Sequence, residues 1–527
     1  MSQLLHLGEV ISRNARLFPS KVGAKDLTRS MTYQQWNERS CRLANALLGL
    51  GLARGDRVAI LAYNRVEWLE IYVAMAKAGL VAVPINFRLV GPEIRYIAED
   101  AGAKAFIVQD DLVEAVDSIR SDLSIADDRY VHMGRTEPPA GYQSYECLIE
   151  RSAANEPAAQ VQIDGAATFM YTSGTTGRPK AAIRSHESNA LLALSTALEH
   201  GFSRDDTGLL VLPMFHANSM WYAQVLAYCG AGVFVYDQKH FEPEHLLHTL
   251  STGNVTFTSL VPTQYTMMLS LSDAVRAKYS ADSVTRLLIS SAPARKETKL
   301  AIMEQFRSTK LLEGYGSTEA GWVTVLRHDE QLSKLGSIGR ELAGCGPIML
   351  LNDTGDEVPT GEVGELYSRT PYAFSGYWNL PERTTEAFRG EYCSVGDMAR
   401  RDEDGYYYLV DRKSNMIISG GENVYPSEVE HVLAAHPAIE DVAVIGLPDE
   451  TWGEAVHAVI VPRSDSAVSE LEIVDWCRTR IAGYKRPRSM SFVTEAEMPR
   501  TTTGKVLHRV LRERYASSKR DVETRQK

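Results

Sequence analysis

One ten-residue stretch, from Tyr171 to Lys180, constrains this chain more than any other part of its sequence. It reads Tyr-Thr-Ser-Gly-Thr-Thr-Gly-Arg-Pro-Lys. Apolar runs at Ala166–Met170 and Ala181–Ile183 predict a buried strand on either side of it. Gly174 and Gly177 allow a tight turn that brings backbone N–H groups close to a ligand. Such a loop is typical of a polyphosphate site, because N–H groups and hydroxyls bind the oxygens and the lysine offsets their charge.

The loop differs from a Walker A loop, since Arg178 and Pro179 separate Gly177 from Lys180. The alternative interpretation is a solvated loop rich in Ser, Thr and Gly between two strands. The predicted phosphate-binding residues are those with a hydroxyl, a glycine backbone or the ammonium group. They are Thr172, Ser173, Gly174, Thr175, Thr176, Gly177 and Lys180.

The size, charge and cysteine pattern of the chain exclude several classes of protein. A length of 527 residues allows more than one domain, and a net charge of -11 gives no reason to expect a nucleic-acid partner. We find no apolar run long enough to span a bilayer and no signal peptide before Pro19. Six scattered cysteines without a Cys-x-x-Cys pair predict reduced, mostly buried thiols and a cytoplasmic location.

The periodicity of apolar residues predicts the architecture. Helical spacing predicts helices from Leu4 to Leu17, from Tyr33 to Leu50 and from Glu187 to Leu198, and strand-like runs such as Arg57 to Ala62 lie between such segments, which predicts a layered α/β domain. Nearer the C-terminus, the same spacing predicts a helix from Glu470 to Ile481. Between Gly336 and Thr370, apolar pieces alternate with turn residues, which predicts a small β-rich subdomain. We therefore predict a large N-terminal domain over residues 1–410, a hinge over 411–414 and a small α+β C-terminal domain over 415–527.

A second segment with chemical character runs from Gly314 to Glu319 and reads Gly-Tyr-Gly-Ser-Thr-Glu. An aromatic ring flanked by glycines can stack on a base while the backbone approaches closely. A glutamate is a hard oxygen ligand of the kind that Mg²⁺ takes. Taken alone, the segment favours a β-turn with a surface glutamate. Together with the loop, it predicts nucleotide contacts by Gly314, Tyr315, Gly316 and Thr318, and metal binding by Glu319.

These two segments resemble the signature motifs of the adenylate-forming superfamily, which contains acyl-CoA synthetases, peptide-synthetase adenylation domains and luciferases. Two further segments, Tyr392–Asp397 and Pro499–Lys505, follow in the family's order. The resemblance implies that the loop binds the β- and γ-phosphates of ATP, and that Glu319 and Thr175 bind Mg²⁺. It also implies that Lys505 bridges the attacking carboxylate and the α-phosphate, where a positioned ammonium stabilises developing charge.

The resemblance extends to the remaining nucleotide contacts and to the hinge. It implies that Asp397 accepts hydrogen bonds from the ribose hydroxyls, that Arg412 contacts ribose or phosphate, and that a small-residue segment lines the adenine. The chain departs from the family's pattern where it has Ser290-Ser291 in place of Gly-Gly, Val395 in place of Thr, and Ser414 at the usual hinge position. The adenine-lining residues are Ser291, Ala292 and Pro293, and the loop beside the coenzyme A tunnel contains Gly420 and Gly421.

The segment from Leu212 to Tyr222 resembles the one that lines the family's acyl pocket. His216 is common there among acyl- and aryl-CoA synthetases, and no aspartate lies between Leu212 and Tyr236 to bind an amino acid's ammonium group. Trp221 and its apolar neighbours predict a pocket for an alkyl or aryl acid, with core packing as the equal alternative. Asn218 and Ser219 hint at a polar group on the acid.

The resemblance thus implies an AMP-forming acyl-CoA synthetase that uses ATP, Mg²⁺ and coenzyme A. Its catalytic residues would be Lys505, Thr175, Glu319 and His216, and its substrate a small carboxylic acid of medium-chain or aryl type, in fatty or aromatic acid metabolism. The alternatives are an enzyme that loads an acyl group onto a carrier protein and, from another class, an inactive nucleotide-binding regulator. The family also implies a possible homodimer.

Overall fold

The structure is a computed structural model. It describes residues 4–134, 136–172, 178–291, 294, 296–352, 354–412, 417–424, 426–463, 468–499, 506, 508 and 510–516. The chain divides into two compact units. The first comprises Met1–Phe87, Tyr96–Tyr171 and Ala181–Val410, and the second comprises Arg88–Arg95, Thr172–Lys180 and Asp411–Lys527.

The helices begin and end where their sequences provide caps. The Thr32 hydroxyl accepts from the backbone of Gln35 at the start of the second helix, and Gly201 and Gly230 adopt left-handed conformations after the seventh and eighth. The helices are α1 (Leu7–Leu17), α2 (Tyr33–Gly49), α3 (Glu67–Ala78), α4 (Gly91–Asp100), α5 (Val113–Asp117), α6 (Tyr145–Arg151), α7 (His186–His200), α8 (Ala217–Cys229), α9 (Pro243–Thr252), α10 (Pro262–Leu269), α11 (Asp273–Arg276), α12 (Lys296–Gln305), α13 (Pro381–Ala387), α14 (Pro426–Ala434) and α15 (Glu470–Arg478).

The strands are short, and those of the first unit are mostly buried runs of Val, Ile, Leu and Ala. They are β1 (Val22–Lys25), β2 (Ser30–Thr32), β3 (Arg57–Leu61), β4 (Val81–Ile85), β5 (Ala103–Gln109), β6 (Tyr130–Met133), β7 (Gln143–Ser144), β8 (Ala166–Thr172), β9 (Lys180–Ser185), β10 (Thr207–Leu210), β11 (Gly232–Val235), β12 (Phe257–Leu260), β13 (Arg286–Ile289), β14 (Lys310–Ser317), β15 (Gly321–Leu326), β16 (Arg340–Glu341), β17 (Met349–Leu351), β18 (Val363–Tyr367), β19 (Gly376–Tyr377), β20 (Phe388–Arg389), β21 (Tyr392–Cys393), β22 (Asp397–Arg401), β23 (Tyr407–Arg412), β24 (Ile417–Ser419), β25 (Glu422–Val424), β26 (Ile439–Asp449), β27 (Gly453–Pro462) and β28 (Ser489–Phe492).

Two large sheets form the first unit. One has the strand order β16-β15-β14-β13-β12-β10-β11-β1-β2, and the six strands from β14 to β1 in this order run parallel to one another. The other has the order β19-β9-β8-β4-β3-β5-β6-β7. One apolar cluster joins them, since it includes Ile60 from β3, Leu226 from α8 and Val233 from β11. Both sheets are therefore held by a shared core, as expected of a layered α/β domain.

Smaller sheets complete both units. Strands β17-β18-β22-β23 form the β-rich part of the first unit, and β20-β21 form a hairpin. In the second unit, β25-β24-β27-β26 form a sheet with β28 beside β27, and α14 and α15 pack with it around Val429 and Ile473. Among the described residues, no helix has the length and apolar character that crossing a bilayer requires.

The structure confirms the predicted α/β class, with three differences in detail. Strand β23 runs on to Arg412, so Asp411 and Arg412 of the predicted hinge belong to a strand. The helix predicted to reach Ile481 ends at Arg478. Only three of the six cysteines are fully buried, since Cys147 is exposed and Cys229 and Cys345 are partly so. The chain divides between residues 410 and 411, but the functional domain bounds stay a prediction.

Candidate active site

The predicted phosphate loop follows strand β8 in the second large sheet. The strand carries Tyr171 and Thr172 at its end, and Lys180 begins β9. The hydroxyl of Tyr171 donates to a carboxylate oxygen of Asp100 at 2.6 Å, and burial together with that carboxylate raises the pKa of Tyr171. Ser173, Gly174, Thr175, Thr176 and Gly177 lie outside the described residues, so their phosphate contacts stay a prediction.

The second motif forms a tight hairpin at the carboxyl end of β14. The pairing of β14 with β15 is irregular between Tyr315 and Gly316. A side chain at Gly316 would meet the carbonyl oxygen of Gly321 at 2.3 Å, so this close approach requires glycine. The turn between the strands carries Glu319, which is only 6% exposed. The interpretation of this residue as a surface glutamate is therefore wrong.

Two groups of the first unit fix Glu319. The hydroxyl of Tyr377 donates to its Oε1 atom at 2.8 Å, and the N–H of Phe374 donates to its backbone oxygen at 2.7 Å. Both donors come from the segment around β19, which pairs with β9. A carboxylate held in this way has the oxygen chemistry that Mg²⁺ prefers, and one or two carboxylates plus phosphate oxygens suffice for that ion. The surroundings of Glu319 therefore fit its predicted role as a metal ligand.

Arg184 lies behind this turn and is fully buried. Its Nη1 atom is 3.4 Å from the backbone oxygen of Glu319 and 3.5 Å from that of Thr318, and its guanidinium faces the Trp221 ring at 5.4 Å. Within the described chain, its Nε and Nη2 atoms have no hydrogen-bond partner. Burial lowers the pKa of Arg184 to about 10. This cation therefore contributes positive potential close to the Glu319 turn.

Tyr315 and Asp397 meet although 82 residues separate them in the chain. The Tyr315 hydroxyl donates to a carboxylate oxygen of Asp397 at 2.7 Å, and Asp397 is 3% exposed. The turn before Asp397 is fixed by Ser394, whose hydroxyl accepts from the N–H of Gly396 and donates to Glu365. The structure thus places the predicted adenine-stacking ring beside the predicted ribose ligand.

The predicted adenine segment follows β13, the neighbour of β14. Ser290 is buried, whereas Ser291 is exposed and adopts a positive φ of 70°. This conformation is uncommon for a residue with a side chain and often marks a functional site. Ala292 and Pro293 lie outside the described residues.

The segment predicted to line the acyl pocket leads into helix α8. His216 precedes the helix, and its ring is 4.4 Å from that of Phe215. Trp221 and Tyr222 are buried in the main core, which favours the packing interpretation for both. Ser219 is also buried and donates to the backbone oxygen of Leu212 at 2.7 Å. Its hydroxyl is thus engaged within the fold, whereas Asn218 is only half-buried and its amide donates to the hydroxyls of Ser259 and Ser290.

The second unit contains the remaining predicted residues. Gly420 and Gly421, both with positive φ, form the turn between β24 and β25, and a side chain at Gly420 would meet the Trp452 ring at 2.9 Å. Arg412 ends β23. Lys505 lies outside the described residues. Lys485 is buried in this unit and forms an ion pair of 2.9 Å with Glu428.

Sequence reasoning missed two residues that contact the Glu319 turn, Tyr377 and Arg184. Tyr377 belongs to a Gly-Tyr-Trp triplet in a region of turns, and this triplet was the only signal available for it. Arg184 follows the apolar run Ala181–Ile183, and a cation directly after a predicted buried strand was the signal for it.

A parallel sheet with a buried carboxylate, an aromatic ring and an acidic partner at its carboxyl edge is typical of a nucleotide-binding enzyme, because ligands bind at that edge. The AMP-binding enzyme family model matches residues 11–378, and the model of the AMP-binding enzyme C-terminal domain matches residues 428–505. The chain belongs to this family.

Relatives of known activity cover nearly the whole chain. A feruloyl-CoA synthase of Amycolatopsis sp is 35% identical over 97% of this chain and 99% of its own. The long-chain-fatty-acid–CoA ligase FadD13 of Mycobacterium tuberculosis is 36% identical over 93% of this chain and 94% of its own. Among solved structures, a double mutant of the o-succinylbenzoate CoA synthetase of Bacillus subtilis, bound to a product analogue, has a TM-score of 0.85 and 28% identity, covering 96% of this chain and 98% of that one. These findings confirm the predicted resemblance and the enzyme class, an AMP-forming acid–CoA ligase.

Proposed function

We propose that this enzyme activates a medium-chain or aryl carboxylic acid with ATP and transfers the acyl group to coenzyme A. The observation that carries the proposal is the hydrogen bond between Tyr315 on β14 and Asp397 on β22, because the turn that follows β14 also presents the buried Glu319. A ring for the base, a carboxylate for the ribose hydroxyls and an oxygen ligand for a phosphate-bound cation are the groups that a nucleotide site needs.

Two half-reactions account for the activity. In the first, an oxygen of the substrate carboxylate forms a bond to the α-phosphorus of ATP, and the bond to pyrophosphate breaks, giving acyl-AMP. In the second, the sulfur of coenzyme A forms a bond to the acyl carbonyl carbon, and the bond to the AMP oxygen breaks. The products are acyl-CoA, AMP and pyrophosphate.

The residues of the chain orient the reactants and offset charge. Tyr315 stacks on the adenine, and Asp397 accepts hydrogen bonds from the ribose. Glu319 and Thr175 hold Mg²⁺, which supplies positive charge to the phosphate oxygens when bound. Lys505 offsets the charge that develops at the α-phosphate. His216, which precedes α8, borders the acid, as the family resemblance implies.

The lid movement belongs to this proposal as well. Lys505 and the coenzyme A thiol both need the same side of the reacting carboxyl group, so the two half-reactions require different arrangements of the C-terminal residues. We place the hinge at residues 411–414 and the coenzyme A contact at Gly420 and Gly421. We also propose a cytoplasmic location, which the absence of disulfides among the six cysteines supports, and a homodimer, which rests on the family resemblance.

Pyrophosphate release tests the proposal directly. The purified chain is incubated with ATP and Mg²⁺ and a panel of short, medium-chain, aryl and polar acids, with an acid-free reaction as the control. Acid-dependent release followed by acyl-CoA formation on addition of coenzyme A is expected. No release from any acid would instead indicate a nucleotide-binding regulator. Release without a soluble thioester would indicate an enzyme that loads a carrier protein.

A further inference from the structure

Three polar side chains meet at the carboxyl ends of β12 and β13. The amide nitrogen of Asn218 donates to the hydroxyl of Ser259 and to that of Ser290, both at 3.0 Å. The two hydroxyl oxygens are 3.3 Å apart. Ser259 is 3% exposed and Ser290 is 2% exposed, whereas Asn218 is only half-buried. We call these three residues the Asn218 trio.

The trio has hydrogen-bonding capacity that the fold does not use. Both N–H groups of the Asn218 amide are engaged, but its oxygen accepts no hydrogen bond within the described chain. The two serines share one hydrogen bond, so the hydrogen of one hydroxyl remains for another acceptor. An acceptor and a donor side by side match a hydroxyl group, which both donates and accepts.

The position of the trio points toward the bound acid. Strands β10, β12, β13 and β14 are parallel, so the trio lies at the same sheet edge as Tyr315. Asn218 stands two residues after His216, on the first turn of α8. Aromatic rings flank this segment, since Phe215 contacts Phe87 edge-on at 5.4 Å. The arrangement combines an aromatic wall with one polar patch, as in pockets that orient a mostly apolar ligand.

We propose that the Asn218 trio binds a hydroxyl substituent on the acid, so that the preferred substrates are hydroxylated aryl acids. This inference rests on the proposed function, whose acid site it specifies. A hydroxyl donates to the Asn218 oxygen and accepts from a serine hydroxyl. An unsubstituted acid of the same shape leaves these groups without partners, which lowers its kcat/KM by about tenfold.

The experiment compares para-hydroxycinnamate with cinnamate in the pyrophosphate assay. The wild-type enzyme is expected to prefer the hydroxylated acid by about tenfold in kcat/KM. Asn218→Leu is expected to bring the ratio close to one, chiefly by raising KM for the hydroxylated acid while cinnamate is still activated. Asn45→Leu is the matched control, because Asn45 lies on α2 and its amide donates to the backbone oxygens of Ala153 and Asn155. This control is expected to keep the wild-type ratio.

Each outcome decides between the proposals. An unchanged ratio in Asn218→Leu, or a wild-type enzyme that activates only alkyl acids, overturns the role of the trio and leaves the proposed function standing. No pyrophosphate release from any acid overturns both. If circular dichroism shows that Asn218→Leu is unfolded, the Ser259→Ala/Ser290→Ala double variant replaces it, with the same expected loss of discrimination and the same overturning result.

Discussion

The hydroxyl of Tyr377 donates a hydrogen bond of 2.8 Å to the carboxylate of Glu319, and each residue is 6% exposed. The two residues come from different sheets, since Tyr377 lies on β19 and Glu319 on the β14–β15 turn. A buried hydrogen bond to a charged acceptor is strong and fixes the direction of the acceptor. The Tyr377 hydroxyl therefore holds the predicted metal ligand in one orientation.

Removing the Tyr377 hydroxyl is expected to weaken the binding of Mg²⁺ by the enzyme. In Tyr377→Phe, Glu319 loses a buried donor and its orientation, so kcat/KM for MgATP falls by about tenfold and more Mg²⁺ is needed for half-maximal rate. Pyrophosphate release over a Mg²⁺ titration measures both effects. Tyr279→Phe is the matched control, because its hydroxyl donates to Glu244 at 3.0 Å on the surface. Equal Mg²⁺ curves for the two variants would contradict the role of Tyr377.

The Tyr315–Asp397 pair gives a second prediction. Tyr315→Phe keeps the ring but removes the donor to Asp397, so KM for ATP is expected to rise about fivefold with little change in kcat. Asp397→Ala is expected to raise it further, because the ribose hydroxyls lose their acceptor. Tyr142→Phe controls for the loss of a comparable bond, since the Tyr142 hydroxyl donates to Asp117 at 2.7 Å. A larger effect on kcat than on KM would show that the pair does not serve nucleotide binding.

Lys505→Ala tests the division of the reaction into two half-reactions. Acyl-AMP formation is expected to fall by more than about a hundredfold, because the ammonium acts on charge that develops in that transition state. Thioester formation from supplied acyl-AMP and coenzyme A is expected to persist. The exposed Lys278→Ala serves as the control. Loss of both half-reactions, or of neither, would disprove the role of Lys505.

Because His200 is buried, we expect the folded chain to lose stability as the pH falls. Burial, with Arg286 and Arg327 nearby, lowers the pKa of His200 to about 3. Between its ordinary value of 6.5 and that folded-state value, the unfolded chain binds a proton that the folded chain does not. The stabilisation is therefore complete above pH 6.5 and is lost as the pH falls toward 3, by up to about 1.4 kcal/mol per pH unit.

Denaturant unfolding at several pH values between 7.5 and about 4 measures this loss. His200→Phe keeps an aromatic ring against Tyr222 but cannot bind a proton, so its free energy of unfolding is expected to decline less steeply. His248→Phe, at an exposed position on α9, is expected to follow the wild type. Parallel curves for the wild type and His200→Phe would refute the prediction.

Much of the fold was predictable because apolar periodicity reports local structure. The helices at Tyr33–Gly49 and His186–His200 and the strand at Arg57–Leu61 agree with their predictions within two residues. Strand order was not predictable, because pairings such as β1 with β11 join residues about 200 positions apart and no local pattern encodes them. The end of helix α15 at Arg478 differed because apolar residues continue beyond it into the core at Ile481.

Only those residues of the candidate site that lie in recognisable sequence motifs could be predicted. Tyr315, Glu319 and Asp397 were predicted from short segments, and the structure brings Tyr315 and Asp397 into contact. The contacts of Tyr377 and Arg184 with the Glu319 turn depend on the pairing of β9 with β19, which no motif reports. The same holds for the Asn218 trio, whose members come from three separate elements.

Ser259 lies near the end of β12 and Ser290 follows β13, and β13 is the direct neighbour of β14, which carries Tyr315. Adjacent strands lie about 4.8 Å apart, so the serines proposed to select the acid and the Tyr315 ring proposed to bind the nucleotide lie only one or two strands apart in the same sheet. A protein engineer can therefore exchange Ser259 and Ser290 to retune which acid is accepted, while the hydrogen bond between Tyr315 and Asp397 remains intact.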